Sequence, residues 1–277
     1  MPKILQITDI HLNGDYNSKF DVKGHFERIV AENRGIEYDA IALTGDLADN
    51  GSCEDYDYIL DTIINTFGEA TPILVTPGNH DDRGCLECSY ADYVEKYGKG
   101  FKDGITIQRA GGSFEDEGAS VTIVTIPTHM PYAAKLIALD NAHNAVPHKG
   151  MQVLYDMEWT NRLLSDYCLF VHKPLILPFH RFMNSPKYSI PEDECKTALI
   201  CMDSIGLHDI FCGHYHCPSI DTWGKWTQYT APASQCQLDP FSDECVPSGN
   251  YPGYAVIHTG AVFKAKFKFI TGDTDAK

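Results

Sequence analysis

Residues 3–11 read KILQITDIH, an apolar run of strand length that opens onto an aspartate and a histidine two positions apart. The same form recurs as DAIALTGD at 39–46, TPILVTPGNH at 71–80, KPLILPFH at 173–180 and HDIFCGHYH at 208–216. Each reads as a buried strand ending in polar, chemistry-bearing residues. Between them, Phe26, Ile29 and Val30 stand at i, i+3 and i+4, as do Ile59, Ile63 and Ile64 with Phe67 one turn on, the spacing of helices packed on a sheet. A third helix is expected from Glu158 to Tyr167. Alternating strands and helices predict an α/β fold, with the first half wound as βαβ units.

The middle and end of the chain imply a second sheet. GITIQRA (104–110) and SVTIVTIP (120–127) read as neighbouring strands, and residues 252–271 as a terminal β-hairpin. In its second arm Phe263, Ala265, Phe267 and Phe269 alternate with Lys264, Lys266 and Lys268, so one face is buried and the other wet. Residues 129–150, with His129, His143 and His148, read as a loop or cap inserted into a single domain spanning 1–277.

Composition limits the partners. The 277 residues carry 22 Lys and Arg against 38 Asp and Glu, a formal charge of −16, which disfavours tight binding to a long nucleic acid. No stretch has the length of a membrane span, and the N-terminal sequence lacks the pattern of an export signal, so a soluble, cytoplasmic protein is expected. The ten cysteines are irregularly spaced and read as reduced thiols. The lone CxxC at Cys85 and Cys88 lacks a second pair at zinc-site spacing. Cys212 and Cys217 bracket the last histidine motif, where packing is the expected role.

The polar residues closing the strands suit a metal centre. Asp9 and His11 can share one ion, and the two oxygens of Asp46 can bridge two cations held ~3.5–4 Å apart. Gly45 leaves room for that approach. Asn79 offers a neutral oxygen ligand, while His180, His214 and His216 offer imidazoles. His80, next to Asn79, is a candidate general acid that Asp81 would orient. His172 competes with His180, but it precedes the apolar run 175–179 instead of ending it, so His180 is preferred. Tyr215, between two of these histidines, should face away from them.

In this order, DxH, GD, GNHD, H and GHxH, the chain resembles the calcineurin-like metallophosphoesterase superfamily, over Asp9 to His216 and on through the terminal strands. The details KILQITDIHL, ALTGDLADNGS, ILVTPGNHD, CGHYH and TAPASQCQ look most like class III cyclic-nucleotide phosphodiesterases and their glycerophosphodiesterase relatives. One departure is PFHRF, because the relatives usually follow this metal histidine with another histidine and a proline, whereas Arg181 and Phe182 stand here. The resemblance implies a four-layer αββα sandwich of two mixed β-sheets flanked by helices. It implies one ion on Asp9, His11, Asp46 and His216, a second on Asp46, Asn79, His180 and His214, and substrate contact by His80.

Two divalent ions are therefore expected, Mn2+ or Fe2+ first, with Zn2+, Co2+ and Ni2+ compatible. They would bring more positive charge than Asp9 and Asp46 return, leaving a locally positive pocket suited to a small phosphate anion. The expected activity is hydrolysis of small phosphodiesters such as 3',5'-cyclic AMP, by attack of a metal-bridging hydroxide. Alternatives are a broad-specificity phosphatase, a nucleotide pyrophosphatase, a glycerophosphodiesterase or a non-catalytic scaffold with this fold. A homodimer is implied by resemblance alone.

Overall fold

The computed structural model of the chain describes residues 1–14, 19–101, 104–116, 118–128, 133–143, 147–156, 165–259 and 264–271. The first half winds as expected. Strands β1 (Lys3–Ile7), β2 (Ala40–Thr44) and β3 (Ile73–Thr76) run parallel, separated by helices α1 (Val22–Glu32) and α2 (Cys53–Phe67), and α3 (Arg83–Tyr97) follows β3. The helix starts are encoded locally. Asp21 accepts from the Gly24 amide, Ser52 and Asp55 form a capping box, and Asp82 accepts from the Cys85 amide. Cys85 and Cys88 of the CxxC both lie on α3 as free thiols.

The remaining strands are β4 (Thr106–Ala110), β5 (Val121–Pro127), β6 (Ala133–Leu139), β7 (Ser165–Phe170), β8 (Asp209–Cys212), β9 (Ser219–Trp223), β10 (Trp226–Thr230), β11 (Gln237–Leu238), β12 (Pro247–Gly249), β13 (Gly253–His258) and β14 (Lys264–Phe269). Helices α4 (His148–Asp156) and α5 (Glu192–Ile205) accompany them. One mixed sheet has the order β14-β13-β1-β2-β3, the other β4-β5-β6-β7-β8-β10-β9, and β11 and β12 form a small ribbon. The terminal hairpin pairs β13 with β14 and docks antiparallel on β1.

The sheets face each other across a core that includes Ile4, Ala42 and Leu74 from one and Leu136, Phe170, Phe211 and Tyr229 from the other. The outer face of the first sheet packs on α1, α2 and α3 through residues such as Leu5, Phe26, Ile59 and Tyr90. The outer face of the second packs on α4 and α5 through Ile137, Leu154, Leu199 and Met202. This is the four-layer αββα sandwich. Among the described residues no helix is long and apolar enough to cross a membrane.

Three expectations about elements change. Residues 133–139, inside the proposed insert 129–150, form β6, which pairs with β5 and β7 within the larger sheet. Its alanines carry little strand propensity, so its place is set by pairing and burial. His129 lies outside the described residues, and His148 begins α4. Most of the helix expected from Glu158 to Tyr167 also lies outside them, while its last residues belong to β7.

The third change concerns KPLILPF, which is not a strand. Pro174 and Pro178 cannot donate to a ladder, and the amides of Leu175 and Ile176 instead donate to the side-chain oxygen of buried Gln228 at 2.7 and 2.9 Å. The strand is the preceding segment, Ser165–Phe170.

Phe211 is fully buried between the rings of Phe170 and Tyr229, with centroids at 5.2 and 5.0 Å. Phe211→Ala is expected to cost about 3–5 kcal/mol. Denaturant titration measures this, and an unchanged midpoint would contradict the packing.

Candidate metal centre

The ends of β1, β2, β3, β7 and β8 meet at one edge of the sandwich. The residues that matter lie just past the strands, in turns, so strand alternation does not aim them. Asp9, His11, Asp46, His214 and His216 all have left-handed backbones, with φ of 52°, 53°, 50°, 68° and 48°. This region is costly for non-glycine residues and persists only where neighbours enforce it. The enforcement is visible as backbone bonds between turns. The Asp9 amide donates to Gly45 O, His11 to Asp46 O, Gly213 to His172 O, and Gln235 to Asp9 O, at 2.9–3.0 Å. The last of these explains the TAPASQCQ stretch, which pins the β1 turn from outside.

Close approach also requires glycine. At Gly45, with φ +84°, a Cβ would meet His172 Nδ1 at 2.5 Å, and at Gly78 it would strike the Asp46 backbone and carboxylate.

Within this frame the donor atoms gather in two groups, Asp9 with His11 and His216, and Asp46 with His172 and His214. Asn79 Oδ1 lies 3.2 Å from His172 Nε2. His11 Nε2 lies 3.7 Å from Asp46 Oδ2, so Asp46 stands between the two groups.

His172, rather than His180, stands beside Asp46, at 3.2 Å, and its ring packs against His214. This replaces the sequence expectation for His180, and the cause is the strand boundary. His172 lies just beyond β7, whereas His180 sits in an irregular segment with its ring against Tyr215 at 5.8 Å. Tyr215 faces away from the centre, as expected, and donates its hydroxyl to Asn184.

One nitrogen of each converging imidazole is tied down, which aims the other. His172 Nδ1 is held by Thr44 O at 3.0 Å, His216 Nδ1 by Cys236 O at 3.1 Å, His214 Nε2 by Tyr188 O at 2.8 Å, and His11 Nδ1 by Asp49 Oδ1 at 2.6 Å. With Nδ1 of both His11 and His216 engaged by acceptors, the neutral rings would carry lone pairs on their Nε2 atoms, and these approach to 3.1 Å. Two lone pairs at that distance repel unless a proton or a cation lies between them. The residues therefore fit a pair of metal ions held by oxygen and imidazole nitrogen, with the outer bonds that metal-binding histidines make.

Electrostatics agree. Burial pushes the Asp46 carboxyl up, but His172, by charge and hydrogen bond, then His11 and His80, hold it well below its ordinary value. Burial likewise opposes ionisation of Asp9, and His216 outweighs it. His216 is in turn raised by Asp9 despite its burial, so the two form an ion pair whose proton a cation would displace. His214 is pushed well down by burial and by the charge of His172, leaving it neutral.

Sequence reasoning missed Asp49. Its Oδ1 accepts from His11 and lies 3.1 Å from His80 Nδ1, linking a histidine of the centre to the candidate acid. The hydrogen bond that His80 donates to Asp49 raises the imidazole to about 9, against burial, and the His80 side chain remains 48% exposed. This pairing favours the protonated imidazole, which faces solvent beside the buried centre. The available signal was a second carboxylate three residues after Asp46.

Asp81 does not orient His80. It is buried and accepts from the amides of Leu47, Ala48 and Gly78 at 2.8, 3.0 and 2.7 Å, and from the Tyr56 hydroxyl at 3.3 Å. It braces the turn carrying Asp46 against the turn carrying Asn79. Burial and the neighbouring Asp46 raise it to about 6. Cys212 is buried and its thiol is pushed up by burial, which suits packing, while Cys217 is part-exposed.

A family model described as calcineurin-like phosphoesterase matches residues 2–218. A protein of Fibrobacter succinogenes named a probable cyclic nucleotide phosphodiesterase is 26% identical over 264 residues, covering 94% of this chain and 91% of its own. A probable glycerophosphodiester phosphodiesterase GpdQ of Arcobacter nitrofigilis is 24% identical over 254 residues, covering 85% and 80%. Among solved structures, a dimetal phosphatase from Danio rerio aligns over 98% of both chains with a TM-score of 0.57 at 14% identity, which shows a shared fold.

Asp81→Ala strands three buried amides and a hydroxyl, so a loss of about 3 kcal/mol or more is expected in denaturant titration. Unchanged stability would mean that Asp81 is not a brace.

Proposed function

The chain belongs to the calcineurin-like phosphoesterase family, and on that premise we propose that it hydrolyses small phosphodiesters, cyclic nucleotides such as 3',5'-cyclic AMP among them, at a two-metal centre. The observation that carries this reading is the convergence of donor atoms from Asp9, His11 and His216 with those from Asp46, His172 and His214. One ion would take Asp9, His11, Asp46 and His216, and the other Asp46, Asn79, His172 and His214. The donors are hard oxygens and imidazoles without thiolate, which suits Mn2+ or Fe2+ and is compatible with Zn2+, Co2+ and Ni2+. Bound there, the ions would supply Lewis-acid activation of water and neutralise charge on the phosphoryl oxygens.

The protein's own side chains do the rest. Asp46 holds the two groups in register, and the His80 amide donates to its Oδ1 at 2.8 Å. The His80 imidazole, paired with Asp49, would donate to a phosphoryl oxygen or to the departing alkoxide. Locally positive charge in a chain of formal charge −16 favours a compact anion over an extended one. The names of the two relatives support diester hydrolysis.

The deciding experiment loads the protein with metal and compares cyclic AMP, bis-p-nitrophenyl phosphate and a glycerophosphodiester with phosphate monoesters and pyrophosphates. Diester turnover that is abolished by chelation and restored by metal is expected. Turnover of monoesters alone would overturn the proposal.

Three substitutions test the parts. His172→Ala is expected to lower bound metal from about two ions towards one and to reduce kcat at least a hundredfold, while His180→Ala keeps both ions. Metal analysis of the purified variants reads this directly, and the opposite pattern would restore His180 as the ligand. His80→Ala is expected to cost about 10²–10⁴-fold with an alkoxide leaving group and much less with p-nitrophenolate, which needs no proton. Equal losses on both would remove His80 as the acid.

A further inference from the structure

His180 and its neighbours are not used by the metal centre, yet they adjoin it. Phe179 and Phe241 are 63% and 67% exposed, unusual for rings of this size, and they meet with centroids 5.5 Å apart and planes at 51°. The segments carrying them are tied together, since the Arg181 amide donates to Pro240 O at 3.0 Å and the Arg181 guanidinium lies 3.9 Å from Asp243.

Both segments are also tied to the centre. The Leu238 amide donates to His216 O at 2.8 Å, and Cys236 O holds His216 Nδ1. On the other side, the His180 ring packs on Tyr215, between His214 and His216. His180 Nδ1 accepts from the Met183 amide at 3.3 Å, so Nε2 carries the hydrogen. That Nε2 is buried and has no hydrogen-bond partner among the described residues. A donor of this kind is normally satisfied by a group or a water outside the chain.

We propose that Phe179 and Phe241 form an aromatic platform that takes the planar base of a nucleotide diester whose phosphate lies at the metal centre. The inference rests on the phosphodiesterase reading and adds a substrate class to it. Three features favour a base over another occupant. The platform stands on the two segments that wall His214 and His216. Its rings are tilted and part-open, leaving aromatic faces for a third ring. The adjacent Arg181 supplies a planar cation that can lie against a base. A glycerol leaving group, polar and without a planar face, would gain little from stacking on the rings.

The experiment uses the metal-loaded full chain and the variants Phe179→Ala, Phe241→Ala and the double variant, all at exposed positions where folding is expected to be unaffected. Cyclic AMP is compared with glycerophosphoethanolamine, which has no ring. The double variant is expected to raise KM for cyclic AMP about tenfold or more and to leave kcat/KM for the ring-free diester within twofold. Equal losses on both substrates, or none, would overturn the platform.

A second readout is independent of turnover. Phe179→Trp fluorescence is titrated with adenosine 5'-monophosphate and with ribose 5-phosphate, and a response to the first at about tenfold lower concentration is expected. Identical responses to the two, or no response, would overturn the platform. A base-dependent response in a protein that hydrolyses no diester would leave the platform standing and sink the phosphodiesterase reading.

Discussion

The controlling constraint is the burial of acceptor atoms facing one another. Asp9 and Asp46 are fully buried as side chains or nearly so, and the imidazoles of His11, His172, His214 and His216 are buried with them. Each imidazole has one nitrogen engaged by a carbonyl or carboxylate, and in His11 and His216 this turns the two Nε2 atoms toward each other, 3.1 Å apart, with a proton or a cation needed between them. Such a cluster has a high desolvation cost, and only positive charge at its middle relieves it. A metal centre is what this arrangement can serve.

Holding the cluster requires a frame that resists relaxation. Five non-glycine residues in left-handed turns cannot be sustained by local sequence, so the sandwich sustains them through bonds that cross from turn to turn. Asp81 is part of that frame, because its two oxygens gather amides from the Asp46 and Asn79 turns. Two adjacent residues therefore do opposite work. His80 is half exposed and paired with Asp49, while Asp81 is buried and spent on the backbone.

Asp49 joins the frame to the chemistry. A single oxygen accepts from His11 and also polarises His80, so the orientation of a histidine of the centre and the charge of the candidate acid depend on the same atom. On the far side, the walls of the centre continue outward into the segments that carry Phe179 and Phe241. The geometry thus grades from buried ionic groups, through a half-exposed imidazole, to open aromatic faces.

The sequence by itself determined what is local. An apolar run closing in DxH, GD, GNHD or GHxH announces both a strand and its terminal chemistry, and the alternating lysines of β14 announce a half-buried strand. Tertiary structure decided what depends on pairing. Residues 173–179 look like a better strand than 165–170, but the prolines deny them a ladder and Gln228 takes up their amides, so His172 reaches the centre and His180 does not. Likewise β6 exists because β5 and β7 flank it, and Asp49 meets His80 only once two separate turns are brought together. Propensity acts along the chain within a few residues, whereas hydrogen-bond partners and burial are supplied from across the fold.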